Sequence, residues 1–387
     1  MLRRARCAFT RIDLLVAVGV VLFLLWGLFV PAIHGPREKK RDRICLSNMR
    51  QVALAIQQYE SISPQSYYPG YRNYLRLSEG SDYVALKSPY PAAQIGKPVA
   101  VSWVVELFPY LDQVALHKAF SSPVSKLDTT RTDDNAPHRW LYNYLETLVC
   151  PSDPPADFKR APLSFVVNTG MRDGPIMGKR DYRENGVFHD HYSDHPDSPT
   201  GRLLSDPRQQ VIEKVNSNFI ANRGDGLQYT LMLSENVDAG SYLDTDERFL
   251  GFTWAMPTEP VNKDTWTVNP PANFRYINQN IGELDISEIE DPQTFQMQQQ
   301  QSKGNVDEHA PYYYSARPSS VHPNGVNVVF CDGHAVFMSD KIDYYVYCLL
   351  MTPRGKDLRD PATGERIKTP GFAGELGPLQ EERWLNR

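Results

Sequence analysis

The sequence is short of net charge. Its 46 acidic residues stand against 41 basic ones, leaving −5 at neutral pH. That is too little of the right sign to make nucleic acid a natural partner. It also lacks a Gly-x4-Gly-Lys run around Asp173-Gly174 or Asp225-Gly226, which excludes a phosphate-cradling loop and leaves both pairs as turns. No EF-hand-like series of ligands is present, so calcium has no loop of that kind to occupy. Ser319 and Ser320 lie close to His322 in sequence, but no strained nucleophile elbow surrounds them. His322 and Asp332 therefore lack the nucleophile and oxyanion site that acyl-transfer chemistry needs. Glycine (24) is outnumbered by proline (30), and there are 21 tyrosines, a mix that suits turns and long ordered loops better than a helical bundle. We assign no catalytic residue, cofactor or metal site from these patterns.

What is present begins with a long apolar run. Leu14 to Val30 carries no charge or strongly polar residue, and the apolar character continues to Ile33. About 20 such residues span the roughly 30 Å hydrocarbon layer of a bilayer as a helix. A cleaved secretory signal is the alternative, but its apolar core is usually only about 7–15 residues long and ends at a small-residue site. This run is longer and ends at Pro31-Ala32-Ile33, which favours a retained anchor. Basic residues flank both ends: Arg3, Arg4, Arg6 and Arg11 on one side, Arg37, Lys39, Lys40, Arg41 and Arg43 on the other. Charge alone does not orient such a segment.

Gly35-Pro36 predicts a break or kink after the apolar run. Cys45, Met49, Val52, Ile56 and Tyr59 then recur at four-three spacing, one face of an amphipathic helix that must lie against a core. Turn residues dominate from Ser61 to Pro98, and a helix is expected around Leu111 to Ala119. Leu163–Asn168 and Tyr229–Leu233 read as strands, and Thr200–Ile220 holds a short strand or helix. Val326–Phe330 and Ala335–Met338 form a hairpin around Asp332-Gly333, where glycine accepts the positive φ of a tight turn. Ile342–Met351 is an apolar strand or helix, and 352–387 a polar, loosely packed tail. Together these elements predict an α+β fold, with a long N-terminal helix backing an antiparallel sheet.

Ala8-Phe9-Thr10-Arg11-Ile12-Asp13, with Leu14-Leu15 after it, resembles a type IV prepilin cleavage and methylation site. Ala8 and Asp13 stand where that family prefers Gly and Glu. The resemblance implies cleavage between Ala8 and Phe9 by a prepilin peptidase, methylation of the new Phe9 amine, and pairing of Asp13 with that amine on a neighbouring subunit. Further segments resemble, in order, a bacterial prepilin-like family known as domain of unknown function 1559. They are Cys45–Tyr59; Ser102-Trp103 with Leu107–Gln113; Cys150-Pro-Ser-Asp-Pro154; Ser164–Asn168; Asp225-Gly226 with Thr230–Glu235; and His322–Gly333, which fits the family's His-x9-Asp-Gly signature.

The resemblance implies a leader over 1–8, a transmembrane helix over 9–33, its amphipathic continuation over 34–62, a globular α+β domain over 63–351, and the tail. It implies a single-pass protein of the inner membrane with its domain outside the cytoplasm. Its partners would be the peptidase, other pilin-like subunits and the bilayer, and its role would be structural, in a pseudopilus or type II secretion-like assembly. The alternative is a membrane-tethered module that binds a glycan or another ligand, with Tyr67, Tyr68, Tyr71 and Tyr74, or Tyr312, Tyr313 and Tyr314, as a stacking surface. Cys7 falls in the leader. In an oxidising compartment the other four cysteines allow three pairings, of which we expect Cys45–Cys150, with Cys331 and Cys348 as buried thiols. His189, Asp190, His191, Asp194, His195 and Asp197 could ligate a divalent ion. Their Ser-, Pro- and Gly-rich surroundings predict an exposed, solvated loop instead. His322, Asp332 and Gly333 are read as structural, the Asp-Gly pair making the hairpin turn.

Overall fold

The computed structural model describes residues 11–63, 66–76, 98–121, 143–155, 158, 161–171, 181–192, 213–256, 277–278, 316–361 and 363–367, without the side chains of residues 13, 25–39, 76, 98, 119 and 121. Ala8, Phe9, the Asp13 side chain, Asp194, His195, Asp197 and Tyr312–Tyr314 thus lie outside the described residues.

Helix α1 runs from Arg11 to Ile62, 52 residues. The break expected at Gly35-Pro36 does not end it. A proline withholds one amide donor, and the bonds on either side can carry the helix past that gap. Cys45, Met49, Val52 and Ile56 are all buried, with Tyr59 packed at the margin of the same core. The four-three stripe is therefore the face that docks. Farther back, Leu14, Leu15, Val16 and Phe23 are exposed. The described apolar side chains from Leu14 to Leu24 cover about 16 Å at 1.5 Å per residue, roughly half a bilayer's hydrocarbon thickness. Among the described residues no helix is long and apolar enough to cross a membrane.

Strand β1 (Arg72–Arg76), inside the stretch read as turns, pairs antiparallel with β2 (Pro98–Ser102), which begins where that stretch ends. Helices α2 (Trp103–Leu107) and α3 (Val114–Ser121) follow, joined through a 3-10 turn at Phe108–Tyr110, and two short helices, α4 (Ser217–Asn222) and α5 (Glu247–Leu250), come later in the chain. The main sheet comprises β3 (Phe165–Met171), β4 (Leu231–Glu235), β5 (Gly251–Trp254), β6 (Gly325–Phe330) and β7 (Ala335–Ser339), in spatial order β5-β3-β4-β6-β7. It is mixed rather than wholly antiparallel. β6 occupies the free side of β4, so the chain leaving β4 crosses to the far side of β3, where β5 pairs parallel to it. Gly170, at the irregular register between β3 and β5, has φ +85°, and a Cβ there would stand 2.6 Å from the Asn185 carbonyl oxygen.

The sheet is covered on both faces. Val326, Val328 and Phe330 belong to the core shared with α6 (Tyr344–Met351), whereas Val329 and Cys331 join the core shared with α1. This is the period-two alternation of a strand sandwiched between two layers. Asp343 caps α6 by accepting from the Tyr345 amide at 2.8 Å. The hairpin turns where the sequence placed it: Gly333 has φ +90°, and its amide donates to the Phe330 carbonyl at 2.9 Å. The start of the supposed loose tail is docked instead. Thr352 and Leu358 are buried, and the Gly355 amide donates to Asp225 Oδ2 at 2.6 Å.

Asn168 ties the second layer to the sheet. Its fully buried side-chain amide donates to the Leu231 and Met351 carbonyls, both at 2.8 Å. Replacing it with alanine strands two buried acceptors at a cost of about 1–3 kcal/mol each. Asn168→Ala should therefore lower the urea midpoint by an amount equivalent to about 2–4 kcal/mol, with little change in slope.

Candidate functional site

Four chemically active side chains converge between α1 and the sheet. Cys45 comes from the docked face of α1. Cys150 opens a turn after the 3-10 helix Glu146–Leu148, closed by the Asp153 amide donating to the Cys150 carbonyl at 3.0 Å. Asn48 holds that turn to α1 by donating to the Glu146 and Val149 carbonyls at 3.0 and 3.2 Å. Glu235 ends β4. Its parity with Leu233 directs it to the α1 face. His322 precedes β6, with its amide on Ser320 Oγ at 3.0 Å.

Their ligand atoms all lie within 4.8 Å of one another. His322 Nε2 stands 3.3 Å from Glu235 Oε1 and 3.6 Å from Cys150 Sγ, and the Cys45 thiol donates to Glu235 Oε1. Glu235 Oε2 accepts the Asn327 backbone amide at 2.8 Å, while the Asn327 side chain donates to Asp42 Oδ1 at 2.8 Å. Asp42 Oδ1 is also 3.8 Å from His322 Nε2. Glu235 is 2% exposed and His322 4%.

Burial would push the Glu235 carboxyl up, but hydrogen bonds from His322, Cys45 and the Asn327 amide hold it below its usual range. His322 is raised to about 10 by its bonds to Cys150 and Glu235, against burial. Hydrogen bonding with Cys45 and His322 draws Cys150 down to about 7, again against burial. Cys45 moves the other way, pushed far up by its bond to Cys150 and by burial. The shifts thus favour moving a proton from Cys150 toward His322 beside an ionised Glu235, while Cys45 keeps its own. Soft sulfur, imidazole and carboxylate donors at this spacing suit a transition-metal ion better than calcium or magnesium.

The structure rearranges several sequence readings. Cys45 and Cys150 are brought side by side, but both are free thiols. A disulfide needs its sulfurs about 2.05 Å apart, whereas here the Cys45 thiol is engaged by Glu235. Cys331 and Cys348 are buried free thiols. Asp332 does not meet His322: the two flank β6 at opposite ends, and Asp332 Oδ1 accepts the His334 amide at 3.0 Å. His322 faces Glu235 instead.

His189, Asp190 and His191 are not a solvated loop; all three are buried. They run beside β1, with the His191 amide on the Arg72 carbonyl at 2.9 Å and the Tyr71 amide on the His189 carbonyl at 3.0 Å. Arg72 grips the Asp190 carboxylate with two nitrogens. Tyr68 and Tyr71 are likewise core side chains, which removes half of the first tyrosine group from any stacking surface. Glu235 escaped the sequence reading. Each of the four clustered residues nonetheless lies in one of the short segments that carry the family resemblance, which was the available signal.

The family described as "Protein of unknown function (DUF1559)" matches residues 35–344. No curated protein and no solved structure matches the chain.

Burial holds the His191 imidazole down to about 3, helped by His189 and Lys214, despite Asp190 and Asp181. The unfolded chain takes up a proton there near pH 6.5 and the folded chain does not, so stability is intact above that pH and falls as pH drops toward 3. By pH 4.5 this one group should cost about 2–3 kcal/mol. His191→Gln should flatten the acid limb of a stability-against-pH curve measured by denaturant titration.

Proposed function

From the premise that the chain belongs to the DUF1559 family, we propose that it is a membrane-anchored, prepilin-like structural subunit of a pseudopilus or type II secretion-like assembly, and not an enzyme. The observation that carries this reading is the division of labour along α1. From Cys45 to Ile56 its apolar face is spent on the domain's own core, while Ile12 to Phe23 leave large apolar side chains uncovered. Water does not favour a bare apolar surface of that kind. A lipid bilayer before assembly, and the helices of neighbouring subunits after it, would cover it.

The leader supplies the second support. Cutting between Ala8 and Phe9 leaves an amine four residues from Asp13, and a carboxylate in an apolar setting is costly unless it is paired. A neighbour's amine would provide that pair and set the stagger between subunits. The domain then faces away from the cytoplasm, because the prepilin leader stays on the cytoplasmic side.

Co-expression with a prepilin peptidase should yield a chain that begins with N-methylated Phe9, read by mass spectrometry, and that cross-links into oligomers. Asp13→Ala should cut the cross-linked fraction about tenfold or more, as expected for a buried charge left unpaired, without reducing the membrane-bound fraction. An uncut, monomeric chain would sink the assembly reading and favour the tethered ligand-binding module.

A further inference from the structure

We propose that Cys45, Cys150, Glu235 and His322 form a zinc(II) site that staples α1 to the sheet. Four donor atoms from four separate elements lie within 4.8 Å of one another, all on buried residues. Zinc bonds of about 2.3 Å to sulfur and 2.0–2.2 Å to nitrogen or oxygen set tetrahedral ligand atoms about 3.3–3.8 Å apart. The His322 Nε2–Glu235 Oε1 and His322 Nε2–Cys150 Sγ separations, 3.3 and 3.6 Å, already fall in that range. Cys45 Sγ is hydrogen-bonded to Glu235 Oε1, closer than two ligands of one ion stand. Zinc replaces that bond and spreads the pair by about 1 Å.

The donor chemistry selects the ion. Two thiolates and an imidazole disfavour calcium and magnesium, which take oxygen ligands. Binding releases two protons to solvent, one from the Cys45 thiol and one held between Cys150 and His322, and leaves His322 neutral with Nε2 on the metal. Two thiolates, one carboxylate and Zn²⁺ then sum to −1, the same net charge that the metal-free cluster carries, so the ion adds ligand bonds without adding buried charge. A supporting shell is in place: the Asn327 amide on Glu235 Oε2 and the Ser320 hydroxyl on the His322 amide fix two ligands in position. A narrow cleft lined by Cys150, Asp153, Ser164, Glu235, Ser319 and Ser320 opens on the cluster and has room for about one water, which gives an ion a way in. With all four positions filled by protein the site is closed, the form of a structural rather than a catalytic zinc.

The test uses the full-length chain in detergent, reduced and stripped with a chelator, then titrated with zinc against a chromophoric competitor and separately with cobalt(II). The expected result is one zinc per chain and a cobalt complex with thiolate charge-transfer absorption and the intense visible bands of a tetrahedral ion. Cys45→Ser and Cys150→Ser should each weaken zinc by about 100-fold or more and halve the charge-transfer band. Cys348→Ser, a buried thiol outside the cluster, should change neither. The wild-type cobalt spectrum decides the matter even if a ligand variant fails to fold. A reduced, folded chain that takes up no metal would overturn the proposal, and so would a native chain isolated with Cys45 and Cys150 joined in a disulfide. Metal binding that lacks thiolate bands or survives Cys150→Ser intact would overturn it too. The assembly reading stands apart from this outcome, since cleavage and cross-linking are read independently.

Discussion

A carboxylate shut between a helix and a sheet has to be balanced where it stands, and Glu235 sets that condition for the whole molecule. It ends the central strand β4, is almost wholly removed from water, and is held by a backbone amide from β6, a thiol from α1 and an imidazole from the segment before β6. Losing any of these leaves buried charge uncompensated, which costs several kcal/mol. The position of α1, the register at the start of β6 and the Cys150 turn are therefore constrained by one side chain. Apolar packing alone, being non-directional, would leave them freer.

Around that point the sheet divides the interior in two. Its α1 face mixes aliphatic packing with the polar cluster, while its α6 face is mostly apolar and aromatic, with Trp254, Tyr344 and Tyr347 fully or nearly buried. The second face has its own polar tie in Asn168, which reaches the ends of both β4 and α6. Each layer is thus keyed to the sheet by a directional contact as well as by area. This is how a chain with many loops keeps one arrangement: general burial supplies the driving force, and a few satisfied polar groups choose the register.

What the sequence disclosed followed from the range of the interactions involved. The β6–β7 hairpin was legible because its alternation and its Asp-Gly turn are encoded within about 15 residues. The docked stripe of α1 was legible for the same reason, since helical periodicity is a local signal. The candidate site was not, because its members sit 190 and 172 residues apart in the two contacts that define it. Only folding brings them together. At His189–His191 the Ser, Pro and Gly neighbours signal irregular backbone, and irregular backbone is not the same as exposure. Here it is buried, and its amides and carbonyls are satisfied by β1 rather than by water. β5 was missed as a parallel neighbour of β3 because the crossover depends on which side of β4 is already occupied.

The continuity of α1 has a mechanical meaning. A helix that passes without a break from an uncovered apolar stretch into a packed core is a strut, and tension on its first half would arrive at the domain through Asp42, Cys45 and Asn48 before it reached Met49, Val52 and Ile56. The first contacts to feel the pull are directional ones, made to strands and turns far apart along the chain, so the strain is shared by several elements at once. A domain hung in this way would give as a unit under traction rather than peel away one residue at a time.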